Sequence, residues 1–226
     1  MTAHRILSWS PSAIVFDCDG TLMDTESHWQ EARNVTFRSF GLKPPAGFAD
    51  RAKGVHYVEC GALMAEETGK PDLAEDLSEA LLDNFTALVD ENPVTMPGAA
   101  SLVRLAARHR PLAVASNCPR EMVESCLDRA GLLSCFGHVV VAGDNVRPKP
   151  QPDVYSVAAR LCGVPPEDAL AVEDSLTGME SARRAGLRVL GTGPCPPGPD
   201  ADAADLWVSS LADPDLVSWA RTHIGA

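Results

Sequence analysis

Basic side chains are scarce in this chain: 19 Lys and Arg stand against 31 Asp and Glu, a formal net charge of −12. Nucleic acid and anionic membrane surfaces both reward a basic face, so neither is expected as a main partner. Long apolar runs are also missing. No segment approaches the roughly 20 apolar residues that a membrane-spanning helix needs. The opening "MTAHRILSWSPS" holds no continuous apolar stretch of the kind that a secretory signal carries. A cytoplasmic location is the expectation. Paired-cysteine spacing is absent too: Cys18, Cys60, Cys118, Cys126, Cys135, Cys162 and Cys195 are odd in number and show no CxxC. That speaks against a zinc site and for free thiols packed as small apolar groups. No internal repeat is present.

What the chain has is enough apolar residue, 45%, to build a core at the size of one domain or of a domain with a smaller partner. Short apolar runs recur at 13–16, 111–116, 138–143, 169–174 and 187–193, with a last one at "LWVSS". They are uniformly apolar rather than alternating, which suits central strands of a parallel sheet. Between them lie helical patterns with punctuation. Pro119 opens one that stops at Gly131, and others close on Gly163 and Gly186. Such alternation predicts an open, doubly wound α/β sheet. Residues 25–92 differ, with three helical patterns and no strand candidate, and predict a helical insertion between a core of 1–24 and 93–226. The Pro-rich stretch 193–205 reads as a rigid surface loop.

In an open α/β sheet the ligand crevice lies at the carboxyl ends of the strands, so polar residues that end apolar runs should converge. These are Asp17 and Asp19, Ser116 and Asn117, and Glu173 and Asp174, with Lys149 after a further strand. Carboxylates crowded in this way need a cation to stay ionised, and oxygen ligands without His or Cys favour Mg²⁺. Ser116 and the helix start near Pro119 suit an anion, and Lys149 supplies a positive charge on a loop stiffened by Pro148 and Pro150. An aspartate can attack phosphorus to form an acyl-phosphate, while a second acid two residues on shuttles the proton. "DCDG" also begins like a calcium loop, but that loop needs Gly at position six and Glu at twelve, where Leu22 and His28 stand.

Together "FDCDGTLMDTE", "VASN", "RPKPQPDVY" and "VEDSLTGMESARRAG" resemble, in order, the four signatures of the haloacid dehalogenase superfamily of phosphohydrolases. The resemblance implies Asp17 as nucleophile and Asp19 as general acid/base that also offers its backbone carbonyl to Mg²⁺. It implies Ser116, Asn117 and Lys149 around phosphate, Asp174 as a metal ligand, and Glu173 as a ligand directly or through water. The insertion resembles the family's small helical cap, with Lys53, Gly54 and His56 in "RAKGVHYVEC" matching a substrate-specificity loop. An acid at position 19 turns the reading from dehalogenase to phosphatase. Mutase relatives carry Arg and His where this chain has Tyr57 and Trp29, which places a phosphosugar mutase second. A non-catalytic phosphate-binding protein is a third reading. The expected substrate is a small sugar phosphate or phosphogluconate-like metabolite, and the small cap and acidic surface suit a monomer.

Overall fold

Strand β1 (Ala13–Phe16) carries no polar residue and is buried along its whole length. After it come α1 (Glu26–Ser39), α2 (Phe48–Ala52), α3 (Tyr57–Glu67), α4 (Ala74–Glu91) and α5 (Ala99–Ala106). The chain continues through β2 (Leu112–Ser116), α6 (Arg120–Arg129), β3 (His138–Val141), α7 (Asp153–Leu161) and β4 (Ala169–Glu173). It ends with α8 (Leu176–Ala185), β5 (Arg188–Thr192), β6 (Leu206–Val208) and α9 (Pro214–His223). The computed structural model describes residues 6–53, 55–91, 94–143 and 145–225, with Asp90 and Glu91 by backbone alone.

The strands form one parallel sheet in the order β3-β2-β1-β4-β5-β6. Val15 lies in register with Ala113 on one side and Ala171 on the other. Every residue of β2 and β4 is buried, as expected for strands covered on both faces, whereas the edge strands β3 and β6 are partly open. Alanines dominate the middle of the sheet. Ala113, Ala115 and Ala171 share a cluster with Val15, with Tyr155 and Ala158 of α7, and with Met179 and Ala182 of α8. Short side chains there leave room for the large Tyr155 ring.

The chain divides into two compact units, Met1–Met23 with Val94–Ala226, and Asp24–Pro93. In the second unit, α4 places Leu77, Leu81, Phe85 and Val89 four residues apart, and all are buried. Burying each such side chain contributes about 1.5–3 kcal/mol, which outweighs the modest propensity differences along the helix. Trp29 of α1 stacks on Phe85 with ring centroids 3.6 Å apart, and Phe37 meets Phe48 edge-on at 5.1 Å. Arg33 is buried and donates to Glu26 at 2.8 Å.

Two details depart from the sequence pattern. The stretch 193–205 is not all loop, because Gly198–Ala203 winds into a 3-10 turn that receives the Trp207 indole N–H at Ala201. Pro199, second in that turn, costs it no hydrogen bond, because the first N–H groups of a helix have no partner within it. Two further helices, α5 and α9, flank the strands, the latter capped by Asp213, which accepts from the N–H groups of Asp215 and Leu216. All seven cysteines are free thiols. Among the described residues no helix is long and apolar enough to cross a membrane.

Candidate active site

The strand order reverses between β1 and β4, since the chain steps from β1 to β2 and β3 on one side and to β4, β5 and β6 on the other. A crevice opens at the carboxyl edge of such a switch point. Asp17 follows the last residue of β1, Glu173 is the last of β4, and Ser116 is the last of β2. Topology alone therefore gathers three of the expected residues on adjacent strands, and the loop between β3 and α7 adds Lys149.

Lys149 is 5% exposed and its ammonium bridges two carboxylates, Asp17 Oδ1 at 2.5 Å and Glu173 Oε1 at 2.6 Å. The backbone around it is held by Asn117, whose Oδ1 accepts from the Lys149 N–H at 2.8 Å and whose Nδ2 donates to the Lys149 carbonyl at 3.4 Å. The Lys149–Pro150 peptide is cis. Further along the loop, Ser181 Oγ donates to the Gln151 carbonyl and Arg184 donates to that of Pro150. These bonds tie the lysine loop to α8, the helix that starts just after the acid pair.

Glu173 has no exposed surface and uses both oxygens fully. Oε1 accepts from Lys149 Nζ and from the Tyr155 hydroxyl at 2.9 Å. Oε2 accepts from the N–H groups of Asp174 and Ser175 and from Ser175 Oγ, each at 3.0 Å. Ser175 Oγ in turn caps α8 by accepting from the Gly178 N–H. A Cβ at Gly178 would lie 1.7 Å from Glu173 Oε1, so this helix turn passes the carboxylate only because it carries no side chain.

The turn after β1 is equally tight. Leu22 and Met23 both donate to the Cys18 carbonyl at 2.9 Å, and Gly20, with φ of 83°, donates to Met23. A Cβ on Gly20 would stand 2.5 Å from Asp174 Oδ2. Asp19 accepts from Ser116 Oγ at 3.4 Å, and Ser116 Oγ accepts from the Cys118 N–H at 2.9 Å.

Electrostatically the site is short of positive charge. Burial pushes the Asp17 carboxyl well above its usual range; Lys149 opposes this, but Glu173, Asp174 and Asp19 add to it. Burial alone would depress the Lys149 ammonium, yet Asp17 and Glu173 beside it hold it well above its ordinary value, so it stays charged. Burial also keeps the Tyr155 hydroxyl protonated, as a donor, and leaves the Cys18 and Cys118 thiols unionised. One carboxylate oxygen from each of Asp17, Glu173 and Asp174 lies within 4.8 Å of the others. Asp17 Oδ2 is buried without a partner, as is the Thr21 hydroxyl. An orphaned buried carboxylate oxygen facing a second acid fits a hard divalent cation. Since Glu173 already accepts five hydrogen bonds, Asp17 and Asp174 are the side chains best placed to hold one.

Asp17, Asp19, Ser116, Asn117, Lys149, Glu173 and Asp174 thus belong to one unit and one strand edge. Lys53 and His56 belong to the other unit, and Gly54 lies outside the described residues. His56 caps its own helix, accepting from the Val58 N–H at 3.3 Å, and its ring lies 4.6 Å from that of Tyr57. Burial lowers the His56 pKa below its usual value. Tyr155 is the residue that the sequence reading passed over. Its signal was a lone tyrosine on an otherwise apolar helix face, six positions after Lys149, where a buried hydroxyl needs a partner.

A lysine-bridged aspartate at the switch point of a doubly wound sheet, with a cluster of carboxylates beside it, is an arrangement that suits a hydrolase of the phosphatase kind. Residues 11–186 match the haloacid dehalogenase-like hydrolases, and the chain belongs to that family. Protein CbbY of Cereibacter sphaeroides is 38% identical over 203 residues, covering 79% of this chain and 82% of that one. The 6-phosphogluconate phosphatase of Escherichia coli (strain K12) is 30% identical over 179 residues, 78% of this chain and 80% of that one. The crystal structure of CbbY from Rhodobacter sphaeroides in complex with phosphate superposes with a TM-score of 0.76 at 30% identity, over 90% of this chain and 96% of that one.

Proposed function

We propose that the chain is a Mg²⁺-dependent phosphomonoesterase that hydrolyses a small sugar phosphate or phosphorylated sugar acid through an aspartyl-phosphate at Asp17. The observation that carries this reading is the Asp17 carboxylate, buried, paired on one oxygen with Lys149 and unpartnered on the other. In the first half-reaction the carboxylate attacks phosphorus, the bond from phosphorus to the ester oxygen breaks, and Asp19 gives its proton to the departing alkoxide. In the second, Asp19 takes a proton from water as that water attacks phosphorus; the acyl-phosphate bond breaks, and inorganic phosphate leaves with the Asp17 carboxylate restored.

Lys149 and the Ser116 segment offset the charge that spreads over the transferring oxygens. Asp17, Asp174 and the Asp19 carbonyl are the groups that would hold Mg²⁺, which would supply charge neutralisation at the phosphoryl group. The relative named for phosphogluconate and the neighbour that binds phosphate support a small phosphorylated substrate. In this reading the helical unit takes the part of the family's small cap, and Lys53 and His56 are the residues to vary for substrate choice.

Phosphate release from an aryl phosphate, with and without Mg²⁺, tests the reaction, and a panel of sugar phosphates, phosphogluconate and phosphoglycolate tests the substrate class. Activity that ignores Mg²⁺, or full activity in Asp17→Asn, sinks the mechanism. Isomerised product with little phosphate released would point instead to the mutase reading. Asp19→Asn should lower kcat far more than it weakens phosphate binding; a loss confined to affinity contradicts its proton-transfer role.

A further inference from the structure

Tyr155 is fully buried on α7 and touches both Glu173 and Lys149. Its hydroxyl donates to Glu173 Oε1 at 2.9 Å, and the centroid of its ring lies 5.1 Å from Lys149 Nζ. The same Oε1 accepts from Lys149 Nζ at 2.6 Å, while Nζ also reaches Asp17 Oδ1 at 2.5 Å. Glu173 Oε2 is committed to three donors from the start of α8. Oε1 is therefore where the pull of Glu173 on the ammonium is set, and Tyr155 shares that atom.

A carboxylate oxygen that already accepts a hydroxyl proton attracts a second donor less strongly, because part of its charge is engaged. The aromatic face adds a weak, non-competing attraction for the cation from another side. We infer that Tyr155 is a positioning residue for phosphoryl transfer: by occupying Glu173 Oε1 and facing Lys149 with its ring, it keeps the ammonium divided between Glu173 and Asp17 rather than drawn wholly onto Glu173. The division matters because charge leaves the Asp17 carboxylate for the phosphoryl oxygens as the bond forms, and the ammonium must be free to follow it. This inference rests on the phosphoryl transfer at Asp17 proposed above.

Tyr155→Phe keeps the ring and removes only the hydroxyl. The expected result is a fall in kcat of about tenfold, the equivalent of about 1.4 kcal/mol in the barrier, with KM and the half-saturating Mg²⁺ concentration within about twofold of wild type. Orthovanadate, which mimics the five-coordinate phosphorus, should bind about tenfold more weakly by calorimetry. In a Glu173→Gln background the same change should cost less than about twofold, in kcat and in vanadate affinity, if Tyr155 acts through Glu173.

A variant with wild-type kcat and vanadate affinity but a lower Tm would show that the hydroxyl only supports the fold, and would overturn the inference. Losses that multiply in the double variant would overturn it as well. A wild type that releases no phosphate sinks the proposed hydrolysis; the positioning then stands or falls on vanadate binding, where equal affinities, or no binding by the wild type, end it.

Discussion

Asn117 and Lys149 are joined through a two-way bond between side-chain amide and backbone, with Oδ1 accepting from the Lys149 N–H at 2.8 Å and Nδ2 donating to the Lys149 carbonyl at 3.4 Å. The asparagine follows β2, so the bond transfers the rigidity of a central strand to a loop that leaves the neighbouring strand β3. The asparagine side chain thus helps to place the lysine. Asn117→Ala strands a backbone N–H, a loss of about 1–3 kcal/mol. The variant should melt lower and turn over more slowly, by about tenfold or more, while half-saturation by Mg²⁺ stays near wild type. A variant that melts lower at unchanged kcat would mean that the loop holds its place without this bond.

Gly178 faces a sharper constraint, because a Cβ there would sit 1.7 Å from Glu173 Oε1. Glu173 cannot step aside without breaking some of its five hydrogen bonds. In an open helix, Gly→Ala gains about 1 kcal/mol; here overpacking of about 1–3 kcal/mol and the disrupted carboxylate network outweigh it. Gly178→Ala should therefore lower both Tm and kcat. A thermal melt and a turnover assay check it, and a higher Tm would show that the helix start yields more readily than its packing implies.

Much of this site is legible in the sequence because its members end apolar runs. Asp17, Ser116 and Glu173 are polar residues placed where buried strands stop, and the parallel-sheet pattern of those strands brings their ends to one edge. The first and last helices of the core and the turn at Gly198–Ala203 were harder to see. They are short, eight and ten residues for the two helices and six for the turn, and the prolines beside them read equally well as loop punctuation. Tyr155 was missed for another reason. Its role depends on which side chain of β4 a helix face meets across the core, and that pairing is set by tertiary packing rather than by local pattern. The same holds for Glu173, whose five donors come from three separate segments and which sequence alone cannot separate from a metal ligand.

Magnesium binding has a readout that does not need turnover. Mg²⁺ that binds the folded chain raises Tm, by the equivalent of about 2.7 kcal/mol at a hundredfold excess over Kd. Asp174→Asn should abolish most of that rise, since Asp174 lies against the β1 turn at Gly20 and within the three-carboxylate cluster. Glu173→Gln should retain more of it, because Glu173 is engaged by Lys149, Tyr155 and the start of α8. If the two variants lose the shift equally, Glu173 leaves its donors to join the cation.

The lysine loop is closed on its outer side by Arg147 and Asp153, and this pair sets an acid limit to part of the stability. Asp153 Oδ1 accepts from Arg147 Nη2 at 2.7 Å, and Oδ2 accepts from Nε at 2.9 Å and from the Arg147 N–H at 3.1 Å. The Arg147 guanidinium holds the Asp153 carboxyl down at about 2, against an ordinary 3.8. A folded value below the unfolded one means that the pair contributes in full above about pH 4, where both states are ionised. As pH falls toward about 2, the unfolded chain takes up a proton that the folded chain does not, and the contribution fades. The difference in Tm between wild type and Asp153→Asn should therefore be largest near neutral pH and close as pH approaches 2. Salt should shrink it as well, since the pair is exposed. A difference that stays constant from neutral to acid pH would show that the asparagine changes loop packing rather than an ion pair.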